Sequence, residues 1–436
     1  MKRRDFLKTG LAVPFVLTSR RCLSAQTTPG TLQEISGTQN LSCPVRAITQ
    51  PPGSHFFGYY DRYQFDLSSR YALGARVDFD GRPPKPEDKL FLGMVDLEEN
   101  DKWIELGESY ALSWQMSCLF QWIPQSETDV IWNDRENGKF VSRVLNTKTK
   151  ELRTLPCPIF ALSPDGKWAI GADFARIDSL RPGYGYVGSD DPYFNVKAPE
   201  GIGIYRMDLQ SGEVRLLVSL AELAKIPHFG EDVADNFHWV NHIALNTDGT
   251  RVAFLNRWRR RRGDRQQMSG GGYVTRMLTC STNGGDLYVL DPSGTTSHFA
   301  WRDEKYMNIF TAPKAGMPRL FYLFEDKTEN VIPVGHTKMR SNGHQTYLPH
   351  RNNEWILCDS YPDSRTRMQQ LYLYHVPTDR RVDLGLFHSP REFVGEWRCD
   401  LHPRCAPDGK KIVFDSTHSG QRHMWLVDIR HIDFSG

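Results

Sequence analysis

Short alternating apolar runs, separated by polar turns, recur along the whole chain. The clearest unit is a tight turn feeding a β-rich strand. It is seen in Ala161-Leu-Ser-Pro-Asp-Gly-Lys-Trp-Ala-Ile170, Ala244-Leu-Asn-Thr-Asp-Gly-Thr-Arg-Val-Ala253 and Cys405-Ala-Pro-Asp-Gly-Lys-Lys-Ile-Val-Phe414. Asp-Gly between alternating runs is a strong hairpin signal, because Gly tolerates positive φ. Four looser copies begin at Asp66, Trp122, Trp301 and Leu348. A second unit of strand, polar turn and strand follows each first one. Examples are Ile204–Leu216, Leu287–Thr295 and Leu371–Asp379, with further copies at Leu92–Leu106, Val141–Leu155, Leu320–Val334 and Met424–Ile429. Seven units of each kind predict seven four-stranded antiparallel sheets, an all-β, seven-bladed β-propeller. The last blade lacks a strand after Ile429. The segment Val45 to Thr49 is expected to supply it, so that an N-terminal strand closes the ring.

Composition agrees with this reading. The 436 residues are 39% hydrophobic and 24% charged, which is a globular balance. The repeat places residues 45–436 in one domain, although length alone would suggest about three. No run approaches the roughly 20 apolar residues of a membrane span. A net charge of +2 gives no basis for a nucleic-acid partner. Much of the positive charge sits at the start, where Lys2, Arg3, Arg4, Lys8, Arg20 and Arg21 face Asp5 alone. Arg3-Arg4-Asp5-Phe6-Leu7-Lys8 resembles the twin-arginine export signature. It is followed by an apolar stretch, Gly10 to Thr18, and by Leu23-Ser24-Ala25 before a cut. Residues 1–25 are therefore expected to be a signal peptide and 26–44 a linker. The expected partner in export is the twin-arginine translocase, and the destination periplasmic or extracellular. Of eight cysteines, seven remain after the expected cut removes Cys22; at 43, 118, 157, 280, 358, 399 and 405 they are odd in number and irregular in spacing, so no disulfide framework is expected.

Candidate chemistry lies where the repeat is interrupted. One insertion, near 174–200, carries Arg181-Pro-Gly-Tyr-Gly-Tyr186, so Arg181, Tyr184 and Tyr186 become candidates for stacking on sugar rings. A second, near 257–276, starts with Arg257 and is dense in arginine, which suits a lid gripping carboxylates or sulfates. His55-Phe-Phe-Gly-Tyr-Tyr-Asp61 enters the first blade and offers His55, Tyr59 and Tyr60, to a ligand or as a plug of the channel mouth. Three histidines share one blade position just ahead of the first turn: His242, His344 and His402. That position belongs to the innermost strand, so three imidazoles are expected to converge on the central channel. Imidazole is both a common metal ligand and an acid–base group. Asp400 lies two residues before His402, on the same strand face. His298 is expected one strand further out.

Ser-Pro-Asp-Gly blades ending in strand, Asp and turn resemble the TolB-like propellers over residues 45–430. The histidine arrangement is similar to that of the oligogalacturonate lyases, a seven-bladed family. That resemblance implies a divalent metal bound through three His and one Gln, and β-elimination on acidic sugars. His242 falls where the catalytic His would be, His344 where an isolated metal His would be, and His402 on the last His of a Gln-x-x-His-x-His cluster. Trp397 stands where the Gln would be and Asp400 where the first His would be. The resemblance therefore implies His344, Asp400 and His402 as ligands of manganese, calcium or zinc. It implies His242 as base. Abstraction of the proton next to a uronate carboxylate then makes Arg257 or Arg404 the candidate carboxylate partners and Tyr184 or Tyr186 the candidate proton donors. The implied partner is an acidic oligosaccharide or polysaccharide. Two other readings stand beside this one. The first is a non-catalytic propeller binding glycan or a cell-envelope protein. The second is a hydrolase using carboxylates such as Asp61, Asp173 and Asp400. No serine-hydrolase elbow, phosphate loop or His-Glu-x-x-His helix is present.

Overall fold

The computed structural model describes residues 36–435, so the expected signal peptide lies outside the described residues. Seven antiparallel sheets follow one another along the chain. Blade one is Ser54–Phe56, Tyr71–Val77, Leu90–Asp96 and Lys102–Ser109, from the innermost strand outward. The inner strands of blades two to seven are Gln121–Trp122, Ala161–Leu162, Phe237–Leu245, Phe299–Trp301, Gln345–Tyr347 and Arg404–Cys405. The architecture is the expected seven-bladed propeller. Val45–Ala47 pairs antiparallel with His423–Asp428, Val45 opposite Val427, and closes the ring.

Two segments differ from the sequence pattern. Thr38–Gln39, in the expected linker, adds a fifth strand to the outer edge of blade six against Arg380–His388. A two-residue strand leaves no periodic signal. In blade four, Leu287–Thr295 contributes one strand, Tyr288–Asp291, rather than a hairpin. The hairpin is made by Val274–Ser281, which pairs with Arg251–Arg259 on its other side. The arginine-rich run thus begins inside a strand, with Arg257 opposite Thr275. The excursion shrinks to residues 260–273 around a short helix, Arg265–Ser269.

Apolar faces of neighbouring sheets meet face to face, with Trp132, Trp239 and Trp355 among the largest fully buried side chains. The tight turns bring blades into contact. Gly166 has φ +70°, and a Cβ there would lie 2.2 Å from the Pro124 carbonyl oxygen. All seven cysteines from Cys43 to Cys405 are free thiols. Among the described residues no helix is long and apolar enough to cross a membrane.

The 174–200 insertion is organised by one buried cation. Asp173 caps the helix Phe174–Leu180 by accepting from the Arg176 N–H. The Arg176 guanidinium, 1% exposed, donates to the carbonyls of His238, Tyr193, Val196 and Lys197 and to Asp191. Arg176→Ala would take a donor from four carbonyls, two of which keep a backbone N–H, and from Asp191, which keeps Arg262 and Ser179. It is expected to lower stability by about 1–3 kcal/mol, read as a shifted denaturant midpoint at unchanged slope. A loss below about 1 kcal/mol would show the hub to be dispensable.

Candidate functional site

The propeller brings the three expected histidines together, and a fourth with them. His242 sits at a register shift in the inner strand of blade four, with φ +51°. His402 has φ +43° just ahead of Arg404–Cys405. Left-handed backbone costs a β-carbon-bearing residue energy, and two such residues at one centre mark a place where side-chain aim outweighs backbone comfort. Ring centroids of His344 and His402 are 4.1 Å apart, and those of His298 and His344 4.2 Å. His298 also lies 6.0 Å from His242. His298 therefore lines the channel and does not sit one strand out. Its signal was present: it stands six residues before Glu304 in its turn, the offset of His242 from Asp248 and of His402 from Asp408. The degenerate turn of blade five hid the match.

One buried carboxylate, which the sequence reading missed, ties two of these residues in place. Asp359 ends the second strand of blade six and accepts from the backbone N–H of His344 at 2.7 Å and of His402 at 2.9 Å. His344 Nδ1 lies 3.0 Å from both of its oxygens. Burial pushes the Asp359 carboxyl up to about 7. A carboxylate behind an imidazole orients the ring and leaves Nε2 for another partner. Arg398 Nε donates to Asp400 Oδ2 at 2.8 Å, while Asp400 Oδ1 is buried with no partner.

The ligand atoms of His344, Asp400 and His402 all lie within 4.8 Å of one another. Burial holds the imidazoles neutral, with His344 pulled down to about 4 and His402, His298 and His242 well below the usual range. Neutral imidazoles facing an unpartnered carboxylate oxygen are the donor set a divalent cation takes. The residues present fit such an ion. Trp397 turns away, its indole N–H donating to the Glu392 carbonyl.

The other candidates divide. Tyr59 and Tyr60 are buried and form a floor under the imidazoles. Tyr59 packs 5.4 Å from His242 and 5.5 Å from His402, and Tyr60 lies 5.2 Å from His344 with its hydroxyl on the Phe299 carbonyl. They plug the channel from within. His55 does not join them: its ring packs on Trp103 and His423, and its imidazole is held near 4 by burial. Tyr184 faces His242 at 5.3 Å, and its hydroxyl accepts from Arg398. Gly185 makes this approach possible, since a Cβ there would lie 2.2 Å from the Asp178 nitrogen. Tyr186, two residues on, faces the other way. It is fully buried, stacked 4.4 Å from Phe174, with its phenol held by Asn133, so it is a core residue and not a proton donor.

The arginines divide as well. Arg404 is consumed inside the fold. It donates to Asp415, Gln64, the Gly58 carbonyl and the His402 carbonyl, so it supports the His402 backbone and cannot meet a ligand carboxylate. Arg257 is the opposite case. Its Nε reaches Thr275 Oγ1 at 3.3 Å, and among the described residues its terminal nitrogens have no partner. Its charge helps to depress His242, so the two are neighbours. Arg181 lies 5.0 Å from the Tyr184 ring and 5.8 Å from that of Tyr273. Two arginines tie the excursion down, while Arg260 and Arg261 are exposed. Arg265 bridges Asp178 and Glu396, each at 2.8 Å, and Arg262 pairs with Asp191 at 2.9 Å. Surface cavities of about 390 and 360 Å³ lie elsewhere, beside Arg46 and Lys410 and beside Ser163 and Asp248, and hold none of these residues.

No protein-family profile matches the chain, and no curated protein matches it in sequence. Solved structures do. An oligogalacturonate lyase in complex with manganese is similar with TM-score 0.61 and 14% identity, over 90% of this chain and 96% of that one. An oligogalacturonate lyase from Vibrio parahaemolyticus gives TM-score 0.58 at 14% identity over the same shares. A TolB from Acinetobacter baumannii gives 0.39 at 11%, over 82% of this chain and 80% of that one. The chain is thus a seven-bladed propeller of the architecture seen in the two lyase structures, with a buried histidine–carboxylate cluster at its axis.

Proposed function

We propose that this protein is an exported, metal-assisted lyase that cleaves uronate-containing oligosaccharides or polysaccharides by β-elimination. The observation that carries the reading is the convergence of His344, Asp400 and His402 beside a separate neutral imidazole, His242, and an unpaired guanidinium, Arg257. The likeness to a lyase in complex with manganese supports manganese as the ion. His344, Asp400 and His402 would hold it, and when bound it would supply positive charge to a uronate carboxylate.

The chain's own residues account for the rest. Arg257 offers a fork to the same carboxylate, which acidifies the carbon-bound proton next to it. His242 Nδ1 is buried without a partner, and a neutral imidazole can take that proton. Tyr184 packs on the His242 ring and limits its rotation. Burial depresses His242 most; binding of an anionic group at Arg257 offsets the smaller repulsion from that charge and strengthens the imidazole as a base when substrate is present. The purified protein is expected to raise near-ultraviolet absorbance, through an unsaturated uronate product, on at least one member of a polyuronate panel. A flat trace on every member, with manganese added, would reject the lyase reading in favour of a glycan-binding propeller.

A further inference from the structure

Resting on the lyase reading, we infer that Tyr273 is a further catalytic residue of this site, the general acid that protonates the departing sugar oxygen. Tyr273 follows Gly270-Gly271-Gly272 and opens the strand Val274–Ser281, so it hangs at the hinge of the docked arginine-rich excursion. Its ring is partly exposed at the mouth, and its inner side packs on Trp239 at 5.6 Å. Three guanidiniums surround it: Arg257 at 4.9 Å, Arg259 at 5.7 Å and Arg181 at 5.8 Å from the ring centroid. They come from the helix-bearing insertion and from the neighbouring strand of blade four. Arg319 of blade five adds a fourth, more distant charge. The largest electrostatic influences on this phenol are arginines, Arg257 before Arg181 and Arg259.

The position fits the chemistry. Arg257 lies 4.9 Å from the Tyr273 ring and near enough to His242 for its charge to depress the proton affinity of both. A carboxylate on Arg257 would therefore have a neutral imidazole and a phenol in its neighbourhood. Arg181 lies between the Tyr273 and Tyr184 rings. The Tyr184 hydroxyl accepts from Arg398, the partner of Asp400, and its ring packs on His242. Asp178 and Glu396 are held by Arg265, and Asp191 by Arg262.

The step balances. His242 takes the proton α to the carboxylate, and the C–H electron pair forms the C4–C5 double bond. The C4–O bond breaks, and the leaving oxygen takes the proton of the Tyr273 hydroxyl. The tyrosinate left behind faces three guanidiniums. Solvent returns the proton to Tyr273 and removes one from His242. The same arginines lower the phenol to about 8, so it is protonated at neutral pH yet readily ionised. A general acid works only while protonated, so activity is expected to fall as pH rises through about 8.

The test uses the full chain and Tyr273→Phe. Ultraviolet titration should show a tyrosinate signal appearing near pH 8 in the parent and missing from the variant, a readout independent of turnover. On a glycosidic uronate the variant is expected to lose about 10²-fold or more in kcat. On a uronate whose 4-O group is a nitrophenyl ether, which departs without protonation, it should lose less than about threefold. Identical titrations, full activity of the variant, or equal losses on both substrates would overturn the inference. An inactive parent would instead reject the lyase reading, and the acid role with it.

Discussion

His402→Ala is expected to lose its divalent metal and its lyase activity together, while the propeller stays folded. The three ligand atoms sit within 4.8 Å, so removing one leaves two donors where a cation needs at least three. A metal supplies several kcal/mol to a developing negative charge. At about 1.4 kcal/mol per decade, the loss is about 10²–10³-fold. The fold should survive because Asp359 holds the residue through its backbone N–H, which alanine keeps. Elemental analysis after dialysis reads the metal, absorbance of the unsaturated product reads the activity, and a thermal melt checks the fold. Chelation of the parent protein should mimic the variant, and added manganese should restore the parent alone. A variant that keeps stoichiometric metal would remove His402 from the ligand set.

The propeller was readable in the chain because its signals are local. Asp-Gly turns and alternating strands need no knowledge of distant partners, and the closing strand at Val45–Ala47 follows from a simple deficit in the last blade. The histidine register was readable for the same reason, since a residue's place ahead of its turn fixes its place on the inner strand. What escaped is what depends on contacts between blades. Asp359 looks like an ordinary strand-ending acid, yet it binds two neighbouring blades at His344 and His402. Tyr184 and Tyr186 differ by two residues, and nothing in Tyr-Gly-Tyr says that one meets His242 and the other Asn133. Arg404 and Arg257 are both buried arginines next to histidine-bearing segments. Only the pairing of Arg404 with Asp415 separates a spent cation from an available one.

That available cation makes a paired prediction on His242. His242→Gln is expected to lower kcat by about 10²–10⁴-fold, the range of a positioned proton-transfer group. Metal content should stay at the parent level, because His242 is not among the three ligand residues. Loss of metal in His242→Gln would place this histidine among the ligands and leave the reaction without its base. Arg257→Met gives a second, separable effect. Burial depresses His242 most, and Arg257 contributes next. A base acts only when neutral, so activity falls as pH drops through the imidazole's own value, and in the parent this acid limb lies below the ordinary 6.5. Removing the Arg257 charge should raise that value and move the acid limb of kcat/KM to higher pH. The same change should raise KM, because the carboxylate loses its fork. The two shifts have different origins and need not be equal in size. An acid limb that stays put in Arg257→Met while KM rises would assign Arg257 to binding alone. A limb that moves as KM rises would tie the carboxylate site to the base through one guanidinium.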